Sequence, residues 1–385
     1  MLLKTYKSVR EAFQVYLPPA VGYSFLHLIY IVFRYGVQLR FFPRALVIIL
    51  ISIIGIPFRF YENLRYCRKI WNFPLPESPI FIIGHWRSGT TYLHNIMTMD
   101  PSMGYVTTYQ GVFPNNVFNG LGRWIFRSFM QLLIPVNRKG DNVKLGVDLP
   151  QEEEFALGAR HSVSFYYFWY FPDRIRDFYL DSIAFTSRSG LYREKFKKAY
   201  IKTIKKAMIR SGKPLFLSKN PPNTGRVKLL MEIFPGAKFI FIHRNPVNVI
   251  LSTRNFFDKM MPALWFREVN GDCRKTEIYH LYRNIMEKYQ EEKQFVPANQ
   301  LFEICFEDFE KDPLPILKDL YHHLNIPGFD VALPFFRDYF AKARKYKKNE
   351  FAIERGELDD ILENTSTQMA LWNYKIPEEI KIRQE

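Results

Sequence analysis

A loop with glycines near both ends is the first segment of the sequence that could do chemistry. It is Gly84-His-Trp-Arg-Ser-Gly-Thr-Thr91, and it follows the short apolar run Ile80-Phe-Ile-Ile83. Glycines let backbone N–H groups close around a phosphate, and the N-terminus of a following helix points at the same anion. The spacing is that of a nucleotide phosphate loop, but Thr90-Thr91 stands where an NTPase has Lys-Ser/Thr. Arg87 supplies the positive charge instead, so the loop predicts phosphate binding with little support for Mg²⁺-dependent nucleotide hydrolysis.

A second candidate anion site follows another apolar run. In His243-Arg-Asn-Pro-Val-Asn-Val-Ile-Leu-Ser252, Arg244 stands at a predicted strand end and Pro246 suits the first helical position. An arginine and the Ser252 hydroxyl that converge there would bind an anion. Alone, this segment also fits an ordinary helix start. Together with the first loop it predicts a pair of anion sites.

Alternating strands and helices must position both loops. Continuous apolar runs predict buried parallel strands at residues 80–83, 215–217, 238–243 and 301–306. Helical spacing predicts helices at residues 90–99, 191–210, 247–257, 277–294 and 314–324. This alternation is typical of an α/β fold in which helices flank a central parallel sheet. Ligands of such folds bind beyond the carboxyl ends of the strands, which is where both loops lie.

These motifs resemble the sulfotransferases that use 3′-phosphoadenosine 5′-phosphosulfate (PAPS), over about residues 79–324. Arg87-Ser-Gly-Thr-Thr91 resembles the 5′-phosphosulfate loop of that family, and Arg244-Asn-Pro-x5-Ser252 is similar to its 3′-phosphate site. Phe216-Leu-Ser-Lys-Asn-Pro221 and Phe306-Glu-Asp-Phe309 resemble the bacterial and tyrosylprotein-type branch. The resemblance implies a P-loop-like sulfotransferase fold. It also implies an enzyme of EC 2.8.2 type that moves a sulfuryl group from PAPS to a hydroxyl without a metal.

The resemblance further implies roles for individual residues. Arg87 would stabilise the leaving 5′-phosphate, and Lys219 matches the second transition-state cation of the family, although a surface lysine is the alternative. Arg244 and Ser252 would bind the 3′-phosphate, which distinguishes PAPS from ATP. The other predicted PAPS ligands are loop residues that donate backbone N–H groups or hydroxyls, namely Ser88, Gly89, Thr90 and Thr91.

The general base is less clearly indicated. Tyrosylprotein-type enzymes have a glutamate after the loop helix, whereas the matching residues 105–110 contain no acid. Residues 148–157 resemble a P-x-E-x-E helix start of bacterial members, which makes Glu152 and Glu154 the first candidates for proton removal. The helix dipole also favours acids in a first helical turn. The histidine candidates are, in order, His161, His85 and His94.

The aromatic segment Phe165-Tyr-Tyr-Phe-Trp-Tyr-Phe171 narrows the chemical class of the acceptor. A pocket lined in this way would suit a small or lipid-like apolar alcohol, such as a sterol, a bile acid or a lipid. Ordinary core or membrane-interface aromatics are the alternative. A carbohydrate sulfotransferase and a phosphate-loop kinase are the alternative functions.

The N-terminal segment concentrates the positive charge of the chain. The net charge is +16, and residues 1–72 hold ten basic and two acidic side chains around two uncharged runs, residues 12–33 and 45–58. These runs are too short, or too interrupted by Pro18-Pro19, for a good membrane span. We therefore predict a helical segment over residues 1–72 that lies as a monotopic hairpin on an anionic membrane surface, ahead of a catalytic domain over residues 73–385. Core helices and a true span are the alternatives.

Composition excludes some other classes. Three widely spaced cysteines rule out a disulfide scaffold and a cysteine-based zinc module, and favour a reducing compartment. The basic residues alternate with apolar runs, which disfavours nucleic-acid binding. With no export signal recognised, we predict a cytoplasmic protein that is peripheral on the inner face of the membrane.

Overall fold

The computed structural model describes residues 19–134, 144–159, 164–186, 190–342 and 351–383. The helices in these ranges are α1 Phe25–Tyr35, α2 Phe42–Ile54, α3 Ile56–Asn72, α4 Thr90–Met97, α5 Thr108–Val112, α6 Gly120–Leu133, α7 Glu153–Leu157, α8 Ile175–Ser182, α9 Leu191–Ser211, α10 Val227–Ile233, α11 Pro246–Met260, α12 Gly271–Glu292, α13 Phe306–Lys311, α14 Pro313–His323, α15 Phe329–Lys342 and α16 Arg355–Leu371. The strands are β1 Ile80–Ile83, β2 Met103–Gly104, β3 Leu215–Lys219, β4 Lys238–His243, β5 Leu301–Cys305, β6 Ala352–Ile353 and β7 Lys381–Ile382.

A five-stranded sheet with the order β2-β3-β1-β4-β5 is the centre of the fold. The pairs β1–β3, β1–β4 and β4–β5 are parallel, so their carboxyl ends lie along one edge. The register places Ile82 opposite Lys219 and His243 opposite Cys305. This arrangement confirms the predicted α/β fold with a central parallel sheet, and it places the ends of the predicted site strands side by side.

The strands bury side chains on both faces because helices cover both. Successive residues of a strand point to opposite faces, so Ile80 and Ile82 lie on one side and Phe81 on the other. The isoleucine side forms a buried cluster with residues of α4, α13 and α14, including Leu93, Ile96, Met97, Phe309, Leu317 and Leu320. On the opposite side Phe241 stacks on Tyr289 of α12 with ring centroids 3.8 Å apart. The continuous apolar runs are therefore strands buried on two faces, as predicted.

One strand ends earlier than its sequence indicated. The apolar run was predicted to continue to Phe306, but β5 ends at Cys305 and Phe306 begins α13. The Phe306 ring leaves the sheet to lie under the guanidinium of Arg244, 4.7 Å from the ring centroid. Tertiary packing at the site thus overrides the strand propensity of the run.

The chain forms two compact units. The first comprises Met1–Leu75, Gly104–Gly212 and Phe256–Asn270, and the second comprises Pro76–Met103, Lys213–Asn255 and Gly271–Glu385. Most of the sheet and both predicted anion loops belong to the second unit, and the predicted glutamates belong to the first. The division into a membrane-associating segment over residues 1–72 and a catalytic domain over residues 73–385 remains a prediction, because the two compact units describe packing and not function.

The N-terminal apolar runs form helices. The described part of the first run gives α1, and the predicted segment before residue 19 lies outside the described residues. The second run gives α2, which continues into α3 after a bend of 42°. Among the described residues, no single helix is long and apolar enough to cross a membrane, and only the bent pair meets that test by length and composition. Membrane association therefore remains a prediction.

Candidate active site

The loop after β1 is built on two glycines that no other residue could replace without strain. Gly84 has φ +143°, and a Cβ there would lie 2.3 Å from the carbonyl oxygen of Ile242. Gly89 has φ +103°, and its Cβ would lie 2.2 Å from the Phe306 ring. Arg87 has φ 72°, a conformation uncommon for a residue with a side chain. The loop is therefore a tight turn whose backbone conformation is held by tertiary contacts.

Hydrogen bonds close this turn. The Gly84 N–H donates to Thr224 Oγ1 at 2.8 Å, and the Thr224 hydroxyl is also 3.1 Å from the Gly84 oxygen. The backbone N–H and the hydroxyl of Ser88 both donate to the carbonyl oxygen of His85, at 3.2 and 2.8 Å. Ser88 thus shapes the loop, and its contact with an anion remains a prediction. Thr224 lies 140 residues from Gly84, and nothing near either residue in the sequence indicated their contact.

The structure brings together three predicted side chains from the two loops. The Arg87 Nε donates to Ser252 Oγ at 2.9 Å, and the Arg244 guanidinium is 3.5 Å from the Arg87 carbonyl oxygen. Ser252 is buried, on the second turn of α11. Thr90 and Thr91 form the first turn of α4, directly after Gly89. The Arg87 side chain thus contacts the Ser252 hydroxyl, and the Arg244 side chain contacts the Arg87 backbone, after the carboxyl ends of β1 and β4 and close in sequence to the start of α4. This arrangement is suited to phosphate groups.

A cavity of about 180 Å³ lies beside Arg244. Its other lining residues are Asn245, Asn248, Phe306, Glu307, Tyr374, Pro377 and Glu379. The carboxylates are occupied by neighbours: Glu307 accepts from the Tyr374 hydroxyl at 2.9 Å, and Glu379 accepts from the Asn248 amide at 3.3 Å. The sequence did not single out Tyr374 or Glu379, because the C-terminal segment reaches this site only through the tertiary fold.

Lys219 is buried at the end of β3, with 3% of its surface exposed. The alternative of a surface lysine is thereby excluded. Burial, and then the positive charge of Lys219, hold the pKa of His94 well below its ordinary value. His94 is therefore neutral at pH 7 and a weak base, while Lys219 stands at the same edge of the sheet as the phosphate loop. Its role as a transition-state cation remains a prediction.

His85 is also a poor candidate for the general base. It is buried, its Nδ1 lies 2.9 Å from the Trp86 carbonyl oxygen, and its ring packs on Tyr282 with centroids 5.0 Å apart. Burial lowers the pKa of His85 to about 4, which leaves the imidazole uncharged and weakly basic at pH 7. The His85 side chain therefore packs between the loop backbone at Trp86 and Tyr282 of α12.

His85 should make the folded state sensitive to acid. Its folded pKa is about 4 and the ordinary value is 6.5, so the unfolded chain takes up a proton first as the pH falls. The stability that His85 provides is full above pH 6.5 and is lost as the pH falls towards 4. Between pH 7 and pH 5, wild type should lose about 2 kcal/mol more than His85→Asn. Urea unfolding at both pH values measures this, with the exposed His322→Asn as control. An equal loss in His85→Asn would contradict the assignment.

The three consecutive glutamates at residues 152–154 are all buried, and their contacts differ. Glu152 is the N-cap of α7, and its carboxylate accepts a hydrogen bond from the Tyr166 hydroxyl. The Glu154 carboxylate accepts from the backbone N–H of Phe165 at 2.6 Å. Glu153 and Glu154 occupy the first turn of α7, where the helix dipole favours acids. The Glu154 contact joins a side chain to the backbone, whereas the Glu152 contact joins two side chains. His161, the third predicted base, lies outside the described residues.

The aromatic segment is densely packed. All seven side chains of residues 165–171 are buried. Trp169 packs on Phe155 and Phe256, with centroids 5.3 and 6.1 Å apart, and the Tyr167 hydroxyl lies 2.5 Å from His27 Nε2 of α1. The segment is thus part of the core of the first unit, as the alternative interpretation held. Whether it also lines an acceptor site remains a prediction.

No cluster suited to a metal ion occurs in the described ranges. Groups of three or more His, Cys, Asp or Glu side chains at metal-binding distances are absent from that part of the chain. Metal independence therefore remains an expectation from the motifs.

Comparisons with known proteins identify the family to which this chain is similar. The profile of the Sulfotransferase family matches residues 79–330. Two curated relatives, from Mycobacterium bovis and Mycobacterium tuberculosis, carry the name omega-hydroxy-beta-dihydromenaquinone-9 sulfotransferase Stf3. Each is 29% identical over 322 residues, which cover 83% of this chain and 81% of the relative.

Solved structures share the fold. Sulfotransferase STF9 from Mycobacterium avium aligns with a TM-score of 0.66 at 15% identity, covering 89% of this chain and 88% of the other. Sulfotransferase STF1 from Mycobacterium tuberculosis H37Rv aligns with a TM-score of 0.62 at 15% identity, covering 89% and 91%. At this identity the likeness supports the fold alone.

Proposed function

The chain belongs to the sulfotransferase family, and we propose that this sulfotransferase moves a sulfuryl group from PAPS to the hydroxyl of a lipid-like alcohol. The observation that carries the proposal is the meeting of Arg87, Ser252 and Arg244, with the Arg87–Ser252 hydrogen bond of 2.9 Å. Two cationic groups at adjacent strand ends suit a donor with two separate phosphate-bearing positions. The alternative of a phosphate-loop kinase is not carried further, because the family is that of sulfotransferases.

The proposed roles follow from charge. As the sulfur–oxygen bond of PAPS breaks, negative charge develops on the leaving 5′-phosphate, and Arg87 with the N–H groups at the start of α4 would stabilise it. Lys219 would supply the second cation. Arg244 and Ser252 would hold the 3′-phosphate beside the cavity that Arg244 lines.

We propose Glu152 as the general base that receives the proton of the acceptor hydroxyl. Its carboxylate accepts from a side-chain hydroxyl, that of Tyr166, whereas the Glu154 carboxylate accepts from a backbone N–H and so helps to hold the local fold. Tyr166 would position the Glu152 carboxylate.

A lipid-like acceptor is favoured by the relatives. Their name gives a hydroxylated menaquinone derivative as the acceptor of those enzymes, and menaquinones are lipids. A sterol, a bile acid and a glycan are the other acceptors to be tested. Incubation with labelled PAPS and each acceptor should transfer label to a lipid alcohol and none to the glycan, with Arg87→Ala as the inactive control. Transfer to the glycan alone would overturn the lipid proposal.

Binding should depend on the 3′-phosphate of the donor. Calorimetric titration of wild type should give tighter binding of PAPS than of ATP or of adenosine 5′-phosphosulfate, which lacks the 3′-phosphate. Arg244→Ala removes a charge-assisted contact, so its affinity for PAPS should fall about 10- to 100-fold, while its affinity for adenosine 5′-phosphosulfate should change little. Equal weakening for both nucleotides would place Arg244 elsewhere in the mechanism.

A further inference from the structure

The exposed apolar side chains of the described chain are concentrated in its N-terminal helices. Of the 28 large hydrophobic side chains that are exposed, 16 lie within residues 26–75. Leu26 and Phe33 of α1 are 79% and 83% exposed, and Trp71 of α3 is 83% exposed. Isolated exposed hydrophobics are ordinary in soluble proteins, but a contiguous group marks an interaction surface.

A single stripe accounts for much of this group. Gly55, at the bend between α2 and α3, has helical dihedral angles, and helical hydrogen bonds run through it from Gly55 N to Ile51 O and from Arg59 N to Gly55 O. The helical phase is therefore kept across the bend. Apolar residues then recur at alternating intervals of four and three on one exposed face, at Leu46, Leu50, Ile53, Pro57, Phe60, Leu64, Cys67 and Trp71. We name these eight residues the apolar stripe, and it is about 40 Å long at the rise of an α-helix.

The opposite face of the bent helix is fixed to the rest of the first unit. In α2 the buried residues are Ala45, Ile48 and Ser52. In α3 Glu62 is buried, pairs with Lys206 of α9 at 2.7 Å and accepts from the backbone N–H of Phe118 at 2.9 Å. Because removing one partner of a buried ion pair is strongly destabilising, this anchor keeps the apolar stripe on the outside of the unit.

The exposed charged side chains of α3 are all positive. Arg65, Arg68 and Lys69 are exposed on α3, and Arg68 directly follows a stripe residue. Among the described residues 19–72 the only acid is Glu62, which is buried. Long basic side chains can lay their methylene groups along an apolar surface and keep their charges in a neighbouring polar layer.

We propose that the apolar stripe docks into the interfacial layer of an anionic phospholipid bilayer, with α2 and α3 lying in its plane and Arg65, Arg68 and Lys69 contacting lipid phosphates. A bilayer provides an apolar layer directly under a negatively charged one, which complements this face. A second copy of the chain complements it less well, because the helices are bent and two all-cationic margins would repel each other. This proposal does not depend on the identity of the acceptor.

Vesicle co-sedimentation of the full chain tests the proposal. Wild type should bind vesicles of phosphatidylcholine with phosphatidylglycerol more tightly than vesicles of phosphatidylcholine alone, and high salt should reduce the difference. Leu50→Gln with Ile53→Gln should weaken binding to the anionic vesicles at least about tenfold. Arg65→Glu with Arg68→Glu should weaken it by a similar factor, with little effect on neutral vesicles.

Matched control variants test whether the position of the changed residues matters, and not only the change in apolar content or net charge. Val331→Gln with Phe335→Gln removes two exposed apolar side chains from α15, and Arg337→Glu with Lys342→Glu makes the same change in net charge there. Both controls should bind like wild type, and thermal unfolding should show that every variant is folded. Wild type that stays in the supernatant with anionic vesicles would overturn the proposal. So would controls that lose as much binding as the stripe variants. Sedimentation velocity could also overturn the proposal. It would do so if wild type formed a dimer that does not bind vesicles, and if Leu50→Gln with Ile53→Gln dissociated that dimer.

Discussion

Replacing Arg87 by alanine should lower kcat about 10²-fold or more, since a charge contact made in the transition state is lost. The side chain is held in place by its hydrogen bond to Ser252 and by a loop conformation with φ 72°. Its charge is therefore oriented before the reaction. Losing that charge should lower kcat more than it lowers the affinity for PAPS. Steady-state and single-turnover rates with labelled PAPS measure the effect.

The companion variants test whether charge is the cause. Arg87→Lys keeps the charge but loses the planar guanidinium that bonds to Ser252, so it should recover part of the rate. Arg244→Ala should act mainly on the KM for PAPS. Thermal unfolding should place all three variants near wild type. A folded Arg87→Ala enzyme with near-normal kcat would remove Arg87 from the catalytic residues.

Replacing Glu152 by glutamine should lower kcat by about 10² to 10⁴-fold, the usual contribution of a general base. Glutamine has the same shape, and its amide oxygen can still accept from the Tyr166 hydroxyl, so the local fold should be kept. What disappears is the negative charge that receives the proton. The measurement is kcat in steady-state and single-turnover experiments with labelled PAPS.

Glu154→Gln is the matched control. The Glu154 carboxylate accepts from the Phe165 N–H at 2.6 Å in a fully buried position, and glutamine keeps an acceptor there but loses the charge that strengthens the bond. This change should therefore lower the free energy of unfolding by about 1–3 kcal/mol and leave kcat within a few-fold of wild type. Tyr166→Phe should reduce kcat less than Glu152→Gln, as expected for a positioning residue. The reverse pattern, with Glu154→Gln inactive and Glu152→Gln active, would exchange the two roles.

Much of the fold could be predicted because its signals are local. The run Ile80–Ile83 is apolar at every position, as expected of a strand covered on both faces, and the helix that follows begins at Thr90 as predicted. The glycines at 84 and 89 likewise reflect a requirement of the turn itself. The errors are at ends: β5 is shorter than predicted because Phe306 is drawn to Arg244 and the loop.

The sequence by itself indicated the type of chemistry, since Arg87 and Arg244 follow predicted strand ends and Ser252 lies in the helix after Arg244, with the spacing of an anion site. It could not determine which side chains would meet. Thr224 closes the first loop, Tyr374 reaches Glu307, and Glu62 pairs with Lys206, all across long separations in the chain. It also gave no reason to prefer Glu152 over Glu154, and the proposed preference rests on their contacts with Tyr166 and Phe165. Local patterns record what a residue requires of its own backbone, whereas partners distant in the chain are brought together only when the strands and helices pack.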